Sequence, residues 1–164
     1  MRIALGSDEK SHITDFVERE LRQRGFQVQL FGPLMESADE RAWPDVARAV
    51  AECVASGDAD EGVLFCWTGT GVSIAANKVP GVRAALVGDA ETARGAKAWN
   101  QANVLCMSLR SASEPVTREV LDAWFATAAD PTEDENVEKV RRLDQQYRRP
   151  DRHLSSLRGE KGTT

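Results

Sequence analysis

The sequence lacks three features that would each indicate a particular class of protein. No apolar run approaches the length of a transmembrane helix. Lysine and arginine number 21 against 26 aspartates and glutamates, so the formal charge of −5 gives no indication of a nucleic-acid partner or an acidic membrane surface. Three cysteines, Cys53, Cys66 and Cys106, are too few and too widely spaced for a disulfide framework or a zinc site.

The N-terminal segment also lacks the long apolar region of a signal peptide, because Met1-Arg2-Ile3-Ala4-Leu5-Gly6 has the pattern of a short strand. Without a secretion signal or a disulfide pattern, we expect a reduced, cytoplasmic protein. The length of 164 residues predicts a single domain, which we place at residues 1–149. The polar residues 150–164 are expected to form a flexible tail.

What the sequence does contain is a regular alternation of short apolar runs with amphipathic segments. Strands are predicted at residues 2–5, 26–31, 62–65, 82–87 and 104–107. The segments between them carry apolar residues on one face at helical spacing, as Ile13, Phe16, Val17 and Leu21 do. Strands that alternate with helices predict a three-layer α/β/α, Rossmann-like, doubly wound fold with five parallel strands.

A last helix is expected beyond the acidic stretch that begins at Asp130. Its apolar residues Val137, Val140, Leu143 and Tyr147 form one stripe. Because the domain offers little remaining surface to cover that stripe, we expect this C-terminal helix to pack on a second subunit. The protein is therefore predicted to be at least a dimer.

A thiol, two threonines and two glycines follow the third predicted strand, in Cys66-Trp67-Thr68-Gly69-Thr70-Gly71-Val72-Ser73. Open α/β sheets bind their ligands at the carboxyl ends of the strands. Glycine lets the backbone approach a ligand closely, and free N–H groups at a helix start favour negative charge. The stretch predicts a site for a phosphate or a developing enediolate. The alternative is a buried structural cysteine beside an ordinary turn.

Three further polar residues are expected beside this stretch, namely Asp8, Asn100 and Arg110. Each also has an ordinary structural interpretation. Asp8 could be a helix cap or a turn residue, Asn100 a helix C-cap and Arg110 a solvated surface arginine. The other two cysteines, Cys53 and Cys106, lie in apolar patterns and are expected in the core.

Several of these motifs resemble the family of ribose-5-phosphate isomerase B and galactose-6-phosphate isomerase. The resemblance runs from Met1 to about Ala126. It is carried by Gly6-Ser7-Asp8, Trp43-Pro44-Asp45, Cys66-Trp67-Thr68-Gly69-Thr70-Gly71-Val72-Ser73-Ile74-Ala75-Ala76-Asn77-Lys78, Gly81-Val82-Arg83-Ala84-Ala85-Leu86 and Asn100-Gln101-Ala102-Asn103-Val104-Leu105.

The resemblance implies aldose–ketose isomerisation of a small sugar or sugar phosphate through a cis-enediolate, without metal or cofactor. It implies that Cys66 is the base that moves a proton between C1 and C2, and that Thr68 handles the hydroxyl proton. It also implies a homodimer with shared active sites, or a tetramer. The substrate-binding residues expected from motif and position are Asp8, Glu9, Trp67, Gly69, Thr70, Gly71, Val72, Ser73, Trp99, Asn100 and Arg110.

The chain departs from the family pattern at several of these positions. Glu9 and Trp99 stand where the family usually has histidine, and the histidine at the second position is assigned to sugar ring opening. Trp67 replaces a common glycine, and could stack on a sugar, narrow the pocket or pack at a dimer interface. The arginine-rich C-terminal segment of the family is matched poorly, by Glu135, Asn136, Glu138 and Lys139. Arg141 and Arg142 follow one helical turn further on and could take the place of the family's arginines.

These departures make ribose 5-phosphate a doubtful substrate. An open-chain sugar such as a tetrulose phosphate would not need the histidine, and a non-phosphorylated sugar would not need the arginines. The alternative to an enzyme is a non-catalytic sugar-binding or partner subunit, since a fold does not guarantee activity. Retention of Cys66 and Thr68 favours the enzyme. Nucleotide binding at Gly69-Thr70-Gly71 is disfavoured, because the rest of the dinucleotide motif is missing.

Overall fold

A computed structural model describes residues 1–36 and 42–147, so the predicted tail at 150–164 lies outside the described residues. Five parallel strands form one sheet in the order β2-β1-β3-β5-β4, as the alternating pattern predicts. The strands are β1 (Arg2–Ser7), β2 (Gln27–Phe31), β3 (Glu61–Cys66), β4 (Ala84–Leu86) and β5 (Val104–Ser108).

Within the described residues, six α-helices connect and follow these strands. They are α1 (His12–Gln23), α2 (Trp43–Ala55), α3 (Thr70–Ala76), α4 (Ala90–Ala98), α5 (Glu114–Ala126) and α6 (Asp134–Tyr147). Local sequence explains where α4 begins. The side chain of Asp89 accepts a hydrogen bond from the N–H of Thr92 at 2.8 Å, and Asp89 is thereby the N-cap of this helix.

The core consists of two apolar clusters, one on each face of the sheet. Helices α1, α4 and α5 cover the face that carries Ile3 and Phe65, and α2 and α3 cover the face that carries Leu64 and Cys106. This arrangement confirms the predicted three-layer fold. Cys53 and Cys106 are both buried, as expected. No helix within the described residues is long and apolar enough to cross a membrane, and the cytoplasmic location stays a prediction.

The fourth strand is shorter than predicted, Ala84–Leu86 instead of residues 82–87. The side chain of Asn103 accounts for the late start. Its Oδ1 accepts from the N–H of Arg83 at 2.7 Å and its Nδ2 donates to the carbonyl of Gly81 at 3.0 Å. Because this amide occupies the backbone groups before Ala84, the regular ladder begins only there.

Helix α6 lies near the amino ends of β4 and β5. The N–H of Gly81 donates to Asp144 Oδ2 at 3.0 Å, and Gln101 Nε2 donates to Asp134 Oδ1 at 2.6 Å. Val137 is buried, but the other three residues of the apolar stripe are exposed, namely Val140, Leu143 and Tyr147. Helix α6 therefore buries one of the four residues of its apolar stripe against the domain.

Candidate active site

The candidate base, Cys66, is the last residue of the central strand β3 and is 5% exposed. It lies between the ends of β1 and β5, because Phe65 pairs with Ser7 and Cys66 pairs with Ser108. The segments that follow β1 and β5 carry Asp8, Glu9 and Arg110. These three residues therefore lie at the same carboxyl edge of the sheet as the thiol.

The two peptide groups that follow the thiol are held by hydrogen bonds. The carbonyl of Cys66 accepts from the N–H groups of Gly69 at 3.2 Å and Leu109 at 3.0 Å. The carbonyl of Trp67 accepts from the N–H of Arg110 at 3.0 Å and from Ser108 Oγ at 2.9 Å. Four donors thus fix the backbone on which the thiol and Thr68 are mounted.

Other parts of the chain closely approach the two glycines of the turn, Gly69 and Gly71. Gly69 has a φ of +74°, and a Cβ atom there would lie 2.8 Å from the carbonyl carbon of Met107 and 2.6 Å from the Leu86 side chain. A Cβ atom on Gly71 would lie 3.0 Å from the ring of Trp43. The turn is therefore packed tightly against β5 on one side and against an indole on the other.

Among the described residues, three N–H groups at the start of α3 have no hydrogen-bond acceptor, and two of the three belong to residues that are not buried, Thr70 and Gly71. The N–H of Gly69 is used by Cys66, and the N–H of Ser73 donates to the carbonyl of Gly69 at 3.2 Å. Within the part of the chain that the structure describes, the N–H groups of Thr70, Gly71 and Val72 have no acceptor. Of the loop residues expected to bind substrate, Gly69 and Ser73 therefore have their N–H groups already engaged.

The hydroxyl groups of the turn point to different partners. Thr68 Oγ1 and Thr70 Oγ1 lie 2.6 Å apart, and both residues are exposed. The Ser73 side chain instead contacts the core. Burial raises the pKa of the Cys106 thiol and nearby Cys66 raises it further, whereas a hydrogen bond with the Ser73 side chain lowers it.

Asp8 is half-buried at the end of β1. Burial raises the pKa of Asp8, a hydrogen bond with its own backbone lowers it, and the charge of Glu9 raises it. The loop is fixed by Ser7, whose Oγ donates to the carbonyl of Glu9 at 2.7 Å and accepts from the N–H of Glu9 at 3.2 Å.

Two of the expected site residues lie at the opposite edge of the sheet. Trp99 and Asn100 follow α4 and precede β5, so they lie near the amino ends of the strands. A six-residue strand separates the two edges by roughly 15–20 Å. The expectation that Asn100 joins Cys66 in one neighbourhood is therefore wrong within a single chain. The physical reason is that a crossover helix returns the chain to the amino edge before the next parallel strand begins.

Trp99 and Asn100 instead line a cavity of about 720 Å³ that is shared with α6. The indole of Trp99 is 60% exposed and folds back over Gly95, where a Cβ atom would lie 2.8 Å from the ring. The cavity is also lined by Arg83, whose Nε donates to the carbonyls of Asn100 at 3.1 Å and Gln101 at 3.0 Å. The described residues thus present a thiol site at one edge and an indole-lined cavity at the other.

Comparison with known proteins identifies the family. The sequence profile described as Ribose/Galactose Isomerase matches residues 3–144. The chain belongs to the ribose/galactose isomerase family. The family predicted from the motifs is confirmed.

Within residues 1–36 and 42–147, no group of three His, Cys, Asp or Glu side chains is arranged to hold a metal ion.

Named members of the ribose/galactose isomerase family are similar to most of this chain. The galactose-6-phosphate isomerase subunit LacB of Clostridium acetobutylicum is 43% identical over 103 residues, 63% of this chain and 59% of that protein. The chain therefore spans about six-tenths of this relative. The D-erythrulose-4-phosphate isomerase of Pectobacterium atrosepticum is 33% identical over 130 residues, 76% of this chain and 82% of that protein.

A solved structure in the ribose/galactose isomerase family has the same fold. The ribose-5-phosphate isomerase B of Mycoplasma genitalium, crystallised with bound ribulose 5-phosphate, gives a TM-score of 0.79 at 32% identity. The match covers 88% of this chain and 97% of that one. The names of these relatives agree with the predicted class of aldose–ketose isomerases.

In this member of the ribose/galactose isomerase family, the structure brings to the candidate site Ser108, which was not expected there, and Trp43 from one of the motifs that carry the family resemblance. Ser108 bonds the carbonyl after the thiol, and Trp43 packs on Gly71. Ser108 stands at the end of an apolar run, where the strand-end rule for ligand sites could have identified it. Trp43 belongs to a motif that carries the family resemblance, but its contact with Gly71 is long-range.

Proposed function

We propose that this chain isomerises a small sugar phosphate between its aldose and ketose forms, with Cys66 as the base. The observation that carries the proposal is the construction of the turn after the thiol. Hydrogen bonds hold its backbone in place. The same turn carries the Thr68 hydroxyl and, among the described residues, three N–H groups without an acceptor. A thiolate is a competent base near neutral pH, and preorganised donors stabilise the oxyanion that develops.

The proposed reaction needs no external oxidant or reductant. The Cys66 thiolate takes a proton from the carbon beside the carbonyl, and the electron pair moves through the new C–C double bond onto the carbonyl oxygen. The thiol then returns the proton to the neighbouring carbon, while Thr68 moves a proton between the two oxygens. The N–H groups of Thr70 and Gly71 stabilise the enediolate oxygen. Removal of one such donor typically costs about 100- to 1000-fold in rate.

We further propose that a homodimer completes each site. In one chain the thiol edge and the cavity edge of the sheet are separate, so neither edge alone contains all the residues expected to contact the substrate. Val140 and Leu143 are about half exposed and line the cavity together with the exposed indole of Trp99. An apolar surface of this kind marks an interface, and a second copy would bring its cavity edge to the Cys66 edge of the first.

The dimer is tested by measuring the mass in solution and the activity of Val140→Asp and Leu143→Asp. Both variants place a charge on the proposed interface without changing the thiol edge. We expect a monomer in light scattering together with loss of activity. Lys139→Asp, on the same helix and exposed, is the control and should leave the dimer intact. A monomeric wild-type enzyme with full activity would contradict the shared site.

We propose a four-carbon ketose phosphate as the substrate. Erythrulose 4-phosphate has no free hydroxyl that could close a five-membered ring on its carbonyl, and neither has the corresponding aldotetrose, because O4 carries the phosphate. Such a substrate needs no ring-opening group, which agrees with Trp99 in place of a histidine. A relative that is 33% identical to this chain is named for this substrate. Arg110, at the thiol edge, is the proposed phosphate contact.

The experiment is a kinetic panel of D-erythrulose 4-phosphate, ribose 5-phosphate, galactose 6-phosphate and unphosphorylated D-erythrulose. We expect kcat/KM for the tetrulose phosphate to exceed that for ribose 5-phosphate by about tenfold or more, because ribose 5-phosphate must first open its ring and the tetrulose phosphate need not. Ribose 5-phosphate as the better substrate would contradict the substrate assignment. Absence of turnover for the whole panel would favour a non-catalytic binding subunit.

A further inference from the structure

The hydroxyl pair of Thr68 and Thr70 distinguishes this turn from an ordinary strand-to-helix connection. The two oxygens are 2.6 Å apart, at the short end of the range for O–H···O hydrogen bonds. Among the described residues, neither hydroxyl makes another hydrogen bond. One hydroxyl must therefore donate to the other, which leaves the pair with one proton to offer to a ligand.

The backbone holds this pair in place. Gly69 lies between the two threonines with a φ of +74°, and this conformation brings their side chains to the same side of the turn. Gly69 is itself packed against the backbone of Met107. Threonine is stiff about χ1, so the two hydroxyls lose little freedom when they meet. The hydrogen bond is consequently preorganised before any substrate arrives.

We propose that Thr70 is a positioning residue for Thr68. Its hydroxyl donates to Thr68 Oγ1, so that the proton of Thr68 points away from Thr70 and towards the substrate oxygens. Thr68 then gives this proton to one enediolate oxygen and takes the hydroxyl proton from the other. Thr70 keeps its own proton and stabilises the charge that develops on Thr68 Oγ1 during the exchange. This inference rests on the proposed function.

The first test is the pair Thr70→Val and Thr70→Ser, assayed with whichever substrate of the panel the wild type converts fastest. Valine keeps the shape of threonine and removes the hydroxyl. We expect kcat to fall about fivefold to tenfold with KM changed less than about twofold, which is the size of one neutral hydrogen bond. Thr70→Ser should recover most of kcat. Thr127→Val removes a hydroxyl that bonds the carbonyl of Ala123, far from the turn, and should leave kcat unchanged.

The second test is a double-mutant cycle, because a residue that acts through Thr68 has no effect once Thr68 is lost. We expect Thr68→Val to lower kcat and Thr68→Val/Thr70→Val to lower it no further. Multiplicative losses would overturn the inference, and so would a Thr70→Val enzyme with wild-type kcat. Thr70→Ala serves in the same cycle if the melting curve of Thr70→Val shows an unfolded protein.

The outcomes separate this inference from the proposed function. If the wild type is active and Cys66→Ala is inactive, the proposed function stands whatever Thr70 does. A wild-type kcat in Thr70→Val would then contradict the positioning role alone. A wild type that is inactive on the whole panel contradicts both.

Discussion

Replacement of Gly69 by alanine tests whether the turn is as constrained as its contacts indicate. An alanine at a φ of +74° is strained by about 1–2 kcal/mol. The new Cβ would also lie 2.8 Å from the carbonyl carbon of Met107, which belongs to the backbone of β5 and cannot move aside as a side chain would. Overpacking of this kind costs about 1–3 kcal/mol more. We expect the free energy of unfolding to fall by about 2–5 kcal/mol in total.

The same substitution should impair catalysis in the molecules that remain folded. Relief of the clash moves Gly69 away from β5 and displaces Thr68 and the free N–H groups with it. A misplacement of about 1 Å can cost about 100-fold in rate, so kcat should fall by about that factor. The assays are urea unfolding followed by circular dichroism, and kcat measured at a temperature where the variant is folded.

A matched control is available at Gly25, which has a φ of +79° but no atom within 4 Å of the position that a Cβ would occupy. Gly25→Ala should carry only the conformational cost, about 1–2 kcal/mol, and keep wild-type kcat. A Gly69→Ala protein that is destabilised no more than Gly25→Ala and retains its activity would show that the turn is not constrained by its contact with β5.

Two further predictions concern charged groups. Lys97→Met leaves Glu61 without the cation that bonds it at 2.6 Å, and should lower the free energy of unfolding in urea by about 1–3 kcal/mol. Lys139→Met removes an exposed ion pair and should cost under about 0.5 kcal/mol. Equal losses in the two variants would contradict this prediction. Because burial raises the pKa of Asp8, its contribution to stability is present at low pH and is lost as the pH rises. As the pH rises from about 4 to neutrality, Asp8→Asn should therefore become more stable relative to wild type. A difference in the free energy of unfolding that stays constant across that range would contradict the raised pKa of Asp8.

Most of the fold could be predicted from the sequence because buried parallel strands give short, continuous apolar runs. Leu64 and Phe65, or Leu105 and Cys106, face opposite sides of the sheet and are both buried. The shortened β4 could not be predicted, because it depends on the side chain of Asn103 bonding a segment about 20 residues earlier in the chain. Long-range polar contacts of this kind leave no local pattern.

The candidate site was predictable in part for the same reason. The rule that ligands bind at the carboxyl ends of strands placed Asp8 and Cys66 together, and β1 and β3 are indeed neighbours in the sheet. It failed for Asn100, which precedes a strand and so lies at the other edge. The Thr68–Thr70 bond depends on the positive φ of Gly69, which the sequence allows but does not require.

Transfer of the carbon-bound proton by Cys66 can be followed through the proton itself. Wild type and Cys66→Ser are incubated with D-erythrulose 4-phosphate in D₂O, and deuterium on carbon is measured by NMR. We expect the wild type to place deuterium at C1 or C2 of the sugar. We expect Cys66→Ser, with a wild-type melting temperature, to show incorporation and turnover lowered about a thousandfold or more. A folded Cys66→Ser protein that still exchanges and isomerises at the wild-type rate would contradict the account.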